Sequence, residues 1–162
     1  MSRVSLSGVL GGFTHAKIID VEDIIAQSSS GDASITFNAI GIPTGGVVTN
    51  VALHLLEAFA GGANSEVLII AGDGTDPDGF VRSVDFFQGG DTGTAFCSGA
   101  YFTGTDDNAV SGGDATANVV KGKVYASADT IDVKIAPDDE IQDLTAGKLV
   151  VCATILDPAS YA

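Results

Sequence analysis

Glycine divides this chain into pieces that suit strands better than helices. It supplies 21 of 162 residues, close to twice the usual share of about 7%. The runs between the Gly-rich clusters are short and rich in Val, Ile, Thr and Phe, side chains that fit a pleated surface. Strands are expected near 17–25, 34–40, 47–59, 66–71, 80–87, 95–102, 119–126, 130–136 and 148–156. The clearest is TIDVKIA, where Ile131, Val133 and Ile135 alternate with Thr130, Asp132 and Lys134. That period of two marks a strand with one buried face. The preceding VVKGKVYA is expected to join it as a hairpin through Ser127, Ala128 and Asp129. KLVVCATIL is apolar on both faces and belongs in the centre of a sheet or between layers.

Two segments fit either period. Asn50 could cap a helix carrying Val51, Leu55 and Phe59 on one stripe, with Gly61 as its stop. As a strand, the same stretch places Val47, Val51, Leu53 and Leu55 on one face. Strand-like neighbours on both sides favour the strand. KIIDVEDII (17–25) poses the same choice and is read the same way. Many short strands, Gly-rich turns and little helix predict an all-β fold, a jelly-roll-like β-sandwich. No fixed-period repeat points to a solenoid or propeller. The expected organisation is a flexible N-terminal arm, 1–16, and one domain, 17–162. GTDDNAVSGGDATAN (104–118) reads as a long exposed loop.

Charge narrows the partners. Seven Lys and Arg against 21 Asp and Glu give a net charge of −14, yet 45% of the residues are hydrophobic, unlike a disordered acidic tail. So few bases cannot neutralise phosphates, which argues against nucleic-acid and anionic-membrane partners. The apolar stretch 47–60 is broken by Asn50, His54 and Glu57, so no membrane-spanning helix is expected. The segment MSRVSLSGVLGG is diluted by Ser and Gly and does not read as a secretory signal. Cys97 and Cys152 match no metal or CxxC spacing and read as two buried thiols, bridged only if the fold brings them together.

One cluster could carry chemistry. AGDGTDPDGF places Asp73, Asp76 and Asp78 within six residues, enough oxygen to wrap a hard cation such as calcium. The spacing fails the EF-hand pattern: counting from Asp73, the third and fifth positions are Thr75 and Pro77. The competing reading is a tight turn whose Asp side chains bond nearby backbone. Asp138, Asp139 and Glu140, like Asp106 and Asp107, read as solvated loop residues. Of two histidines, His15 lies in the arm and His54 in a strand-like run, too few for a zinc centre. No GxSxG elbow, Walker loop or dinucleotide fingerprint is present. Trp is absent and the tyrosines are Tyr101, Tyr125 and Tyr161, a thin set for stacking on sugars. No catalytic residues and no cofactor are expected, with calcium left open.

Together, EAF (Glu57 to Phe59), AGDGTDPDGFV, YASADTIDVKI and DLTAGKLVVCATI resemble β-sandwich virion proteins of tailed bacteriophages, of the head decoration (cement) type. The resemblance runs from about residue 35 to 156. It implies a non-enzymatic structural protein, commonly a homotrimer, that binds the major capsid protein on the outer capsid surface and bridges shell subunits. It brings no active-site residues. A tail- or fibre-associated phage protein shares the architecture, and a sugar- or calcium-binding β-sandwich module is the reading from another class.

Overall fold

The computed structural model describes residues 12–88, 95–98, 101–103, 118–120 and 122–161. It is an all-β sandwich of two antiparallel sheets. In chain order the elements are β1 (His15–Asp20), α1 (Val21–Gln27), β2 (Ile35–Ile42), β3 (Val47–Ala60), β4 (Val67–Gly72), β5 (Val81–Asp85), β6 (Ala95–Ser98), β7 (Tyr101–Thr103), β8 (Asn118–Val120), β9 (Lys123–Val124), β10 (Asp129–Pro137) and β11 (Ala146–Leu156). Sheet I has the order β1-β11-β3-β6, with β9 pairing the start of β3. Sheet II has the order β2-β10-β4-β5, and β7 pairs β8 separately.

The period-of-two reading fixes the interior. Ile131, Val133 and Ile135 of β10 are fully buried and meet Ile69 of β4 and Val51, Leu53 and Leu149 of the facing sheet in one apolar core. Apolar area removed from water at this density is the main stabilising term. β11 is buried on both faces, as its sequence requires: Leu149 and Val151 join the main core, while Val150 and Cys152 join a second cluster with Ala52 on the other side. Phe13 and Ile18 pack against that second cluster. The sheets meet at a corner where Phe59 and Phe87 form a bridge and the Phe59 amide donates to the Phe86 carbonyl at 2.9 Å.

Three expectations change. The run 17–25 is strand only to Asp20, then helix. Asp20, extended at φ −119°, accepts from the Asp23 amide at 3.0 Å, and Glu22 and Asp23 occupy the first turn. That is an N-cap with acids at the positive end of the dipole, and Ile24 buries the short helix. The segment before β10 is no hairpin partner: β9 pairs β3 in sheet I, whereas β10 lies in sheet II, so 125–128 crosses between layers. In β3, Val51, Leu53 and Leu55 do share the inner side. Val47 does not, because a register shift between Thr154 and Ile155 of the β11 partner turns Val48 inward.

The strand β1 begins at His15, inside the segment read as an arm; 1–11 lie outside the described residues, as do 104–117 of the expected loop. Cys152 is a buried thiol. Ala52 pairs with Cys152 on one side and with Cys97 on the other. The two cysteines are thus two strand spacings apart, about 10 Å, beyond the roughly 7 Å Cα limit of a disulfide.

Candidate functional site

The three aspartates of AGDGTDPDGF sit at the end of β4 and are all buried: Asp73 is 1% exposed, and Asp76 and Asp78 are each 8% exposed. The turn closes on itself, with the Asp73 amide bonded to the Asp76 carbonyl at 2.9 Å and the Gly79 amide to the same oxygen at 3.1 Å. Asp73 Oδ1 accepts from the amides of Thr75 (2.9 Å) and Asp76 (3.0 Å), the side-chain-to-backbone pattern of an Asx turn. Gly72 is required by space alone, since a Cβ there would lie 2.0 Å from the Asp76 carbonyl oxygen.

The second carboxylate oxygen reaches the other layer. Asp73 Oδ2 accepts from Tyr125 Oη at 2.5 Å and pairs with Lys123 Nζ. The lysine ammonium also lies 5.0 Å from the centroid of the Tyr125 ring, within cation–π range. Tyr125 is held by its backbone, donating to the Gly46 carbonyl and accepting from the Gly45 amide. One buried carboxylate therefore ties the end of β4 in sheet II to β9 and the crossing segment beside sheet I. Lys123 and Tyr125 lie 50 and 52 residues away, and no local pattern marks them as its partners.

The electrostatics divide the cluster. Burial on its own raises the Asp73 carboxyl, but the hydrogen bonds from Lys123, Tyr125 and two amides outweigh it and hold the group below its ordinary range. Asp76 goes the other way, up to about 6, first because burial penalises its charge and then because its carboxyl is hydrogen-bonded to Asp78. Asp132, on the neighbouring β10, is raised by burial despite the hydrogen bond from Thr130 Oγ1 at 2.6 Å.

A shallow cleft of about 180 Å³ opens beside the turn, lined by Thr36, Asp73, Gly74, Pro77, Asp132 and Lys134. The Asp73 oxygens that could serve a ligand there are engaged by four donors. Asp76 and Asp78 bond each other, and among the described residues no group of three or more His, Cys, Asp or Glu is arranged to hold a metal ion. The tight-turn reading describes the geometry. Elsewhere, exposed Asp138 accepts from the Ser65 amide and hydroxyl and from the Glu66 amide, which holds its carboxyl below the usual range. His54 is half-buried on the outer face of sheet I.

No family model matches the chain, and no curated protein matches it. Among solved structures, a chain in the acidic stable capsid structure of Helicobacter pylori bacteriophage KHP30 is similar over 88% of this chain and 99% of that one, at 12% identity and a TM-score of 0.41. That likeness is too loose to carry an argument about function.

Proposed function

We propose that this is a non-enzymatic structural protein of a bacteriophage virion, a decoration or cement protein that self-associates, most simply as a homotrimer, and binds the outer surface of the capsid. The observation that carries the reading is where the phage-like segments fall. EAF ends β3, AGDGTDPDGFV makes the buried turn from β4 to β5, YASADTIDVKI supplies Tyr125 and β10, and DLTAGKLVVCATI forms β11. The resemblance thus covers the framework itself: the central strands of both sheets and the bond between layers. The polar groups of the turn are spent on one another, which suits a clamp. The scarcity of Lys and Arg suits a surface facing away from packaged nucleic acid.

The test is direct. Purified protein is mixed with capsids assembled from the major capsid protein of the phage that encodes it, then sedimented and imaged. Stoichiometric density on the outer surface and raised resistance of the shell to heat are expected. A protein absent from purified virions, and found only free in the infected cell, overturns the reading. Density confined to tails would move it to the tail- or fibre-associated alternative.

A further inference from the structure

The chain contains two Asp–Pro peptide bonds, and the fold surrounds them differently. An aspartate carboxylate can close a five-membered ring on its own carbonyl carbon, an intramolecular attack that needs no encounter. A proline nitrogen carries no hydrogen and can leave once it is protonated. Asp157–Pro158 follows β11, with Pro158 exposed. There the Asp157 carbonyl accepts one amide, from Ser160 at 3.0 Å, and the Asp157 carboxylate accepts the Ala159 amide at 3.0 Å. Asp76–Pro77 sits in the buried turn. The Asp76 carbonyl oxygen accepts two amides, from Asp73 at 2.9 Å and Gly79 at 3.1 Å, donors placed where charge would develop if that carbon were attacked. The Asp76 carboxyl is hydrogen-bonded to Asp78, and both residues are 8% exposed. Two carboxyls in such contact share one proton, so one can attack while the other donates. The cleft of about 180 Å³ is lined by Gly74 and Pro77 and opens to water beside the bond.

We infer that the turn between β4 and β5 cleaves its own backbone between Asp76 and Pro77 in mildly acidic solution, once per chain and without a second protein. The ionised Asp76 carboxylate adds to the Asp76 carbonyl carbon and closes the ring. The carbonyl oxygen becomes an oxyanion held by the amides of Asp73 and Gly79. As this adduct collapses, the bond to Pro77 breaks and its electron pair stays on the Pro77 nitrogen. That nitrogen takes the proton of Asp78, the residue directly after it. One water then opens the cyclic anhydride left on Asp76. The balance is one water consumed, one new carboxyl at Asp76 and one new amine at Pro77. Attack and proton donation are both available only while the pair holds a single proton, so the rate peaks at about pH 5 and falls on either side. β4 and β5 remain paired through Leu68 with Asp85 and Ile69 with Val84. The two pieces therefore stay docked, and the nick shows only under denaturing conditions.

Mass spectrometry of the full chain, incubated between pH 3 and pH 8 and then denatured, tests it, with Asp157–Pro158 as the internal standard. The expected products are fragments 1–76 and 77–162, the second beginning Pro-Asp-Gly. In the folded protein at about pH 5, cleavage at Asp76–Pro77 should outrun that at Asp157–Pro158 at least tenfold, a ratio that urea brings to near one. The rate should not change on dilution or with protease inhibitors, which separates the reaction from a contaminating protease. Asp76→Asn, which removes the attacking carboxylate, should abolish the cut. Asp78→Asn should slow it at least tenfold and leave Asp157–Pro158 unchanged. Melting temperatures verify that the variants fold, and the comparison of folded with unfolded wild type needs no variant. A chain that stays intact, equal rates at the two bonds when folded, or a cut that persists in Asp76→Asn overturns the inference.

Discussion

Asp73 accepts hydrogen bonds from Lys123, Tyr125 and the amides of Thr75 and Asp76. It is nearly fully buried, carries a charge and joins two layers through Lys123 and Tyr125. Removing one partner of a buried ion pair leaves the other uncompensated, at about 3–5 kcal/mol. Asp73→Ala is therefore expected to lower the melting temperature by roughly 6–20 °C, at about 2–4 °C per kcal/mol for a chain of this size. Tyr125→Phe deletes one charge-assisted hydrogen bond and should cost about 1.5–3 kcal/mol. Because both act on one network, the double variant should cost clearly less than the sum, read by urea unfolding as a double-mutant cycle. Gly147 is a second sensitive point. Its φ is +143° and a Cβ would lie 2.1 Å from the Phe59 ring, so Gly147→Ala combines backbone strain with overpacking. A loss of about 2–4 kcal/mol is expected by the same measurement, and a neutral result would show that Phe59 can move aside.

At the scale of elements, the turn between β4 and β5 makes stability depend on pH. A carboxyl raised in the folded state binds more protons folded than unfolded, so its stabilising contribution is full below the unfolded value of 3.8 and lost as pH rises through about 6. Burial raises Asp132 in the same sense. Asp138 acts oppositely: its carboxyl is lowered, so its contribution is present above the unfolded value and lost as pH falls through the folded one. The wild type should therefore lose stability as pH rises from about 4 to about 6.5, measured by urea midpoints. Asp76→Asn, which keeps the protonated shape, should flatten most of that slope. A slope unchanged in the variant would assign it to other groups. Such a turn was only half legible in the sequence. The acids and glycines announced a turn, and Asp73 bonding its own backbone is local chemistry. Its burial comes from Lys123 and Tyr125 across some fifty residues, which no window of sequence contains. The helix α1 has a local cause instead: a strand-like apolar run carries a good N-cap at Asp20. The limit of the window does explain β9, whose choice of β3 over β10 is a tertiary preference. Where one face alone decides, as in Ile131, Val133 and Ile135, alternation was enough.

For the whole molecule, the ratio of charges governs more than any single site. With seven bases against 21 acids, the folded chain holds its carboxylates closer together than the unfolded chain does, and that repulsion opposes folding. Screening should relieve it: raising NaCl from about 0.02 to 0.3 M shortens the Debye length from roughly 20 Å to below 6 Å, and the melting temperature should rise by several degrees. Calcium offers the discriminating arm. The Asp73 oxygens already accept four hydrogen bonds, so CaCl2 at matched ionic strength should raise the melting point little more than NaCl, and MgCl2 should match it. A calcium shift that saturates, exceeds magnesium and disappears in Asp78→Asn would show instead that the turn opens to take the cation in place of the hydrogen bond between Asp76 and Asp78. In that event the clamp between the layers would be a metal-dependent one.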